Sequence, residues 1–331
     1  MAGEMLSQLI KWNRVLRTVR QEEGGEGMKA AAIASFGPPE VLKVMELENP
    51  KAGKGQVRVR VRAAGVQPFD CSVRGSGWAP PGPQISFPQI LGNEFAGIVD
   101  QVGEGVADFF TGDEVLGWAL LACYAEFVVV SADQIVRKPN EMPWEEAGGL
   151  PASGQTAHTA LKELGVGPGD TVLIHAAAGG VGTFAVQLAK AWGANVIGTA
   201  SLRNHDYLRS LGAIPVAYGN ELVQNVRALA PNGMDAALDA AGEDALRSSL
   251  AIGIDKHRIG TIVSFELGER LGVRVIRSQR SKERLAELVD LYVQGKLRIP
   301  IRKAFPLEEA ANAHREVESG HGYGKVVLTL K

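Results

Sequence analysis

Residues 171 to 192 restrict the folds open to this chain more than any other stretch. Thr171–Ala176 reads as an apolar strand, and Val181–Trp192 reads as a helix with Val181, Phe184, Ala185, Leu188, Ala189 and Trp192 at helical spacing. Between them lies Ala177-Ala178-Gly179-Gly180-Val181-Gly182, a G-x-G-x-x-G turn with Ala177 in the place of the first glycine. In this strand–turn–helix context the turn can bind a dinucleotide. Gly179 lets backbone approach a pyrophosphate, Gly182 lets the helix pack on its strand, and the free N–H groups and positive dipole end at Gly180 and Val181 hold the anion. The same residues would also suit a tight βα turn that uses glycine only for packing.

The neighbouring sequence extends this alternation. Asn195–Ser201, Met234–Ala240, Thr261–Phe265 and Val273–Ile276 read as strands, Asn204–Leu211 reads as a helix, and Ser281 caps a last helix through Val293. The pattern predicts an α/β fold with βαβ units and a parallel sheet covered on both faces. Residues 28–130 differ. In Gln56–Val61 the apolar Val57, Val59 and Val61 alternate with Arg58 and Arg60, the period-2 mark of a half-buried strand. Phe95–Val102 and Cys123–Val130 are further strands, and residues 103–105 and 111–114 are turns. After Gly295 the texture is β-like again, and Gly324–Leu330 is expected to rejoin the first module. The expected organisation is an extension at 1–27, a β-rich substrate domain at 28–150, a dinucleotide domain at 151–297, and a return to the β-rich domain at 298–331.

Composition narrows the function classes. A length of 331 residues gives two domains of about 150 residues each. A net charge of −2 gives no electrostatic reason to seek nucleic acid or an anionic membrane. Two cysteines, Cys71 and Cys123, cannot make a disulfide framework or an all-thiolate zinc site, which fits a reducing, cytoplasmic setting. No apolar run approaches the roughly 20 residues needed to span a bilayer. Residues 1–27 mix Lys11, Arg14, Arg17 and Arg20 with apolar residues before a Glu/Gly linker. They read as a dispensable helical extension, with an organellar presequence or surface-binding helix as the alternative.

The second strand ends at Gly198-Thr199-Ala200-Ser201 and continues Leu202-Arg203. No carboxylate stands there to accept a ribose 2′-hydroxyl, and the Arg203 fork suits a 2′-phosphate, so NADPH is expected over NADH. Arg203 could alternatively only solvate a helix start.

Gly92-Asn93-Glu94-Phe95-Ala96-Gly97, Gly112-Asp113-Glu114-Val115, the glycine turn with Gln187-Leu188-Ala189, and Gly324-Lys325-Val326-Val327-Leu328 together resemble the medium-chain dehydrogenase/reductase superfamily. Within it, the chain from Met28 onward is similar to the zinc-independent quinone oxidoreductase branch. The resemblance implies a GroES-like β-rich domain plus a Rossmann doubly wound parallel-sheet domain, a cleft between them, and a homodimer through the Rossmann domains. Where zinc-dependent members place their catalytic ligands, this chain has Gln67, Asn93 and Ala152, a set that cannot replace thiolate and imidazole. The resemblance further implies cleft roles for Gln67, Asp70 and Arg74, with Ser72 where some quinone reductases carry a tyrosine. Asp70 could equally be a turn residue or the ion-pair partner of Arg74. Thr156 matches a nicotinamide contact or is a helix cap, and Tyr218 matches an adenosine-side residue or is a surface aromatic. The backbone of Val263-Ser264-Phe265, ending a strand, is expected to meet the carboxamide. His158, His175 and His205 read as structural or peripheral, and Cys71 reads as a small buried hydrophobe. The expected activity is NADPH-dependent, metal-free hydride transfer to a small-molecule acceptor, a quinone or activated C=C bond. An enoyl-thioester reductase and a non-catalytic NADPH-binding sensor or structural protein are the alternatives.

Overall fold

A computed structural model describes residues 27–77 and 84–331. The N-terminal basic segment and Trp78 fall outside the described residues.

The first part of the chain runs β1 (Gly27–Ile33), β2 (Leu42–Glu48), β3 (Gln56–Val66), α1 (Pro68–Ser76), β4 (Gln89–Ile90), β5 (Glu94–Val102), β6 (Glu114–Trp118), β7 (Phe127–Ser131) and β8 (Ile135–Arg137). Val57, Val59 and Val61 of β3 are fully buried, as their alternation predicts. The last predicted strand starts late. Residues 123–126 make only an isolated antiparallel bridge to β1, Ala125 with Ala30, since Cys123 and Tyr124 turn inward and the Tyr124 N–H donates to the Leu91 carbonyl at 2.9 Å. Two short helices, α2 (Trp144–Gly149) and α3 (Pro151–Glu163), lead into the second part. Pro151 starts α3 with its φ already fixed and no N–H to satisfy.

There follow β9 (Thr171–Ile174), α4 (Gly180–Ala191), β10 (Asn195–Thr199), α5 (His205–Ser210), β11 (Ile214–Val216), α6 (Leu222–Leu229), β12 (Ala236–Asp239), α7 (Glu243–Ile252), β13 (Ile259–Thr261), α8 (Phe265–Leu271), β14 (Arg274–Val275) and α9 (Lys282–Val293). Strands β9 to β14 form a sheet of order β11-β10-β9-β12-β13-β14, parallel at every pairing. One face packs on α3, α4 and α9 through Leu161, Phe184, Leu188, Leu285 and Leu288, and the other on α6 to α8 through Val226, Leu246 and Leu267. Burial on both faces explains the unbroken apolar run Ala-Ala-Leu of β12. The strand predicted at Thr261–Phe265 lies earlier, at Ile259–Thr261, and meets the prediction only at Thr261. Thr261 Oγ1 accepts the N–H groups of Val263 (3.2 Å) and Ser264 (2.8 Å), so the chain bends there and Phe265 opens α8.

The chain closes with β15 (Ile301–Pro306), α10 (Ala310–Glu318) and β16 (Lys325–Thr329). β16 pairs antiparallel with β3, in the seven-stranded sheet of the first part. Phe305, Val326 and Leu328 share its core with Val59 and Phe95.

Candidate functional site

Strand β9 lies where the chain reverses direction, with β10 then β11 on one side and β12 then β13 on the other. Open α/β sheets bind ligands at the carboxyl end of such a switch point, and here the glycine-rich turn occupies it. Ala176 takes a left-handed φ of 52°, a rare conformation for a residue with a Cβ. Gly182 is required by contact: a Cβ there would lie 2.2 Å from the Ala176 carbonyl oxygen. Ala177, at the first-glycine position, turns its methyl into the core toward Gly198. Gly179 stands at the N-cap of α4 with no side chain to cover the helix's first N–H groups, those of Gly180, Val181 and Gly182.

Beyond β10, Ser201 precedes a short 3-10 turn and Arg203 is exposed without a hydrogen bond or ion pair among the described residues. Tyr218 follows the adjacent β11 and is 62% exposed, and Leu202 is 77% exposed. Ser201, Arg203 and Tyr218 thus share one edge, at the ends of neighbouring parallel strands.

At the other end of the turn, the sequence positions that would carry zinc ligands hold a different assembly. Gln67 caps α1, and its Nε2 donates to Ser153 Oγ at 3.1 Å. Lys325 Nζ donates to the same Ser153 Oγ at 2.7 Å and pairs with Glu94 Oε1 at 2.7 Å. Glu94 Oε2 accepts the N–H groups of Ala152 (2.7 Å) and Ser153 (3.4 Å), so this carboxylate caps the start of α3. Both ends of the ion pair are buried, at 2% and 0% exposure. Glu94 occupies the space left by Gly65, where a Cβ would come within 1.8 Å of its carboxylate. Asn93 spends its Oδ1 on the N–H of Leu121, held at a left-handed φ of 54°. These donors do not fit zinc: Gln67 and Asn93 are amides already engaged, Ala152 has no donor, and Glu94 is neutralised by Lys325. Among the described residues no group of three or more His, Cys, Asp or Glu side chains could hold a metal.

Sequence reasoning missed Lys325 and Ser153 as site residues, though both reach the turn. A Cβ on Gly180 would meet Lys325 Nζ at 3.7 Å and Ser153 Oγ at 3.6 Å, and the Gly324 N–H donates to the Ala178 carbonyl at 2.8 Å. The ammonium therefore stands beside the N–H groups that would face a phosphate.

Asp70 and Arg74 do not pair, which corrects the ion-pair alternative. Asp70 is fully buried beneath the Gly92–Glu94 loop. It accepts from the Gln67 N–H (2.9 Å), the Tyr124 hydroxyl (3.0 Å) and the Gly92 N–H (3.2 Å). Burial pushes its pKa up to about 7, against the pull of the Gln67 and Tyr124 donors. Arg74 instead reaches α10, donating to His314 Nδ1 at 2.9 Å and pairing with Glu318. Since a guanidinium only donates, His314 Nδ1 accepts, and Nε2 carries the proton toward the Tyr124 oxygen at 3.2 Å. Burial, with the nearby Arg74 charge, pushes His314 down to about 3. Asp70 thus braces the loop from below, while Arg74 ties α1 to α10.

Thr156 sits in the second turn of α3, not at its start, and its Oγ1 donates to the Ala152 carbonyl at 3.0 Å, so it is not a cap. Val263 is exposed at the carboxyl edge, while Ser264 donates its hydroxyl to the buried Asp239 at 2.9 Å. His158 bridges Glu287 and Arg284, His175 meets Ser249, and His205 meets the Ala200 carbonyl. Cys71 is buried, and burial pushes its thiol well above the usual range.

Two family models match: the alcohol dehydrogenase GroES-like domain over residues 53–140 and the zinc-binding dehydrogenase over residues 211–328. The chain is 33% identical to a quinone oxidoreductase of Pseudomonas aeruginosa, covering 91% of this chain and 99% of the relative. It is also 33% identical to a 2-haloacrylate reductase of a Burkholderia species, covering 90% of this chain and 98% of the relative. It is 32% identical to the pikromycin polyketide synthase component PikAII of Streptomyces venezuelae, of which it spans 8%. Among solved structures, the quinone oxidoreductase of Coxiella burnetii superposes with a TM-score of 0.82 at 34% identity, covering 92% of this chain and all of that one. Among the described residues no helix is long and apolar enough to cross a membrane. Dinucleotide turn, GroES-like sheet and relatives matched along nearly their whole length agree: the chain belongs to the medium-chain dehydrogenase/reductase superfamily, in its quinone oxidoreductase-like branch.

Proposed function

We propose that the chain is an NADPH-dependent, zinc-independent oxidoreductase that delivers hydride to a quinone or to a C=C bond conjugated with a carbonyl. The observation that carries this reading is the Gln67–Ser153–Lys325–Glu94 assembly, which ties one of the metal-ligand positions, Gln67, into a buried polar network and sets an ammonium beside the glycine turn. With no Lewis acid to polarise an alcohol, the reaction falls to acceptors whose conjugation already spreads the developing charge.

When bound, the reduced nicotinamide supplies a hydride. The chain's own residues do the rest. The N–H groups of Gly180 to Gly182, with Lys325, hold the pyrophosphate, and Arg203 with Ser201 and Tyr218 takes the 2′-phosphate end. The Val263 backbone, at the exposed carboxyl edge, suits the carboxamide. Gln67 lines the acceptor side, while Asp70 and Arg74 fix it in place through α1 and the Gly92–Glu94 loop. A homodimer through the open sheet edge at β14 and a reducing, cytoplasmic setting complete the reading. The similarity to a 2-haloacrylate reductase supports an activated C=C as acceptor.

The experiment is NADPH oxidation by purified protein against quinones, alkenals and crotonyl thioester. Turnover with quinones or enones supports the reading, and turnover confined to the thioester replaces the acceptor class. Stoichiometric NADPH binding without any turnover points to a sensor or structural protein.

A further inference from the structure

Between β14 and α9 the segment Gln279–Ser281 is fixed to α3. The Gln279 N–H donates to Thr159 Oγ1 at 3.1 Å, the Ser281 N–H donates to Gln155 Oε1 at 2.8 Å, and Arg284 donates to the Gln279 carbonyl. Thr159 and Gln155 are buried, so this anchor is rigid. The residue it presents, Arg280, belongs to the Rossmann part, yet its charge lies within reach of Glu94, Cys123 and Asp70 of the GroES-like part. Its side chain therefore stands in the cleft between the two. Arg280 is only partly exposed and makes no hydrogen bond or ion pair among the described residues. Burial lowers its pKa, against the pull of the Glu94, Cys123 and Asp70 charges. Glu94 cannot serve as its partner, being committed to Lys325 and the start of α3. Two residues away in the sequence, Ser278 Oγ is buried with no hydrogen-bond partner among the described residues. A cation carried on a fixed backbone segment and left without a counter-charge of its own suits an oxyanion.

We propose that Arg280 receives the carboxylate of the acceptor, making a 2-enoate, an acid whose C=C is conjugated with its own carboxylate, a substrate class of this site. The inference rests on the reductase reading and sharpens it. In the reduction, C3 of the 2-enoate gains hydride from the reduced nicotinamide, C2 gains a proton from water, and the cofactor leaves oxidised. A 2-enoate resists hydride because its carboxylate is already negative and the addition makes a dianion. A bidentate guanidinium offsets that second charge where it develops, so Arg280 both anchors and activates.

The test compares 2-chloroacrylate with 2-chloroacrylamide and with 1,4-benzoquinone in the full chain and in Arg280→Gln and Arg280→Lys. NADPH affinity is measured in parallel by cofactor fluorescence. We expect the wild-type chain to favour the acid over the amide, and that kcat/KM ratio to fall about 10- to 100-fold in Arg280→Gln, as for loss of a charge-assisted hydrogen-bonded pair. Arg280→Lys restores part of the ratio, and NADPH affinity stays within about threefold, less than one hydrogen bond is worth. A wild-type chain that reduces quinone without preferring the acid overturns the inference even if Arg280→Gln fails to fold, and leaves the reductase reading intact. NADPH affinity that collapses in both variants with the acid-to-amide ratio unchanged also overturns it, by giving the oxyanion to the cofactor. A chain that binds NADPH and reduces no acceptor removes both readings.

Discussion

Gly182 and Arg203 test the proposed cofactor site in different ways. In Gly182→Ala the new methyl meets the Ala176 carbonyl at 2.2 Å, and the clash is with backbone, so α4 must back away from its turn. We expect a loss of about 1–3 kcal/mol, typical of overpacking, together with weaker NADPH binding measured by titration. Arg203 is exposed, so its removal costs the fold nothing comparable. In Arg203→Ala we expect KM for NADPH to rise about 10- to 100-fold, the worth of about 1.5–3 kcal/mol from charged hydrogen bonds, while KM for NADH stays unchanged. Steady-state kinetics with both cofactors reads the difference, and an equal rise for both would remove Arg203 from the 2′-phosphate site.

At the scale of elements, β5, β16 and α3 are joined by the buried Glu94–Lys325 pair. Lys325→Met leaves an uncompensated carboxylate at the start of α3, and we expect it to cost about 3–5 kcal/mol in denaturant unfolding, with Glu94→Gln in the same chain recovering part of that. Two buried histidines fix the acid side of the stability profile. Burial pushes His175 down to about 4 and His314 to about 3, whereas both titrate near 6.5 when unfolded. Below that value the unfolded chain binds protons that the native chain refuses, so their contribution is complete above about pH 6.5 and is lost as pH falls through about 4 for His175 and about 3 for His314. His175→Gln should flatten the loss, seen as a smaller drop in unfolding free energy between pH 6.5 and 4. An unchanged pH slope would mean that His175 is not held neutral.

The elements show which links could be read from sequence. The strand–turn–helix at β9–α4 is local: period, glycine spacing and helix start lie within about one βα unit, so residues alone reveal it. Asp70 and Arg74, four residues apart on α1, look like a pair at helical spacing, but α1 lies between two layers. Asp70 faces Tyr124 and the Gly92 loop while Arg74 faces His314 on α10, 240 residues later, and no local pattern announces that partner. Thr156 is not a cap for a simpler reason: Pro151 starts α3 five residues before it. Lys325 and Ser153 were missed because their meeting at the glycine turn depends on the last strand returning to β3, and 172 residues separate them.

Over the whole molecule, the GroES-like sheet and the Rossmann sheet with its glycine turn are joined by the Gln67–Ser153–Lys325–Glu94 network, and the proposed function puts the acceptor on the first and the cofactor on the second. The central claim is hydride transfer that needs NADPH and no metal. Its most direct test is the rate of NADPH oxidation by a quinone or enone before and after exhaustive treatment with a zinc chelator, with zinc per chain measured on the same sample. We expect an unchanged kcat/KM and zinc far below one per chain. Stoichiometric zinc whose removal abolishes turnover, restored by adding it back, would contradict the account.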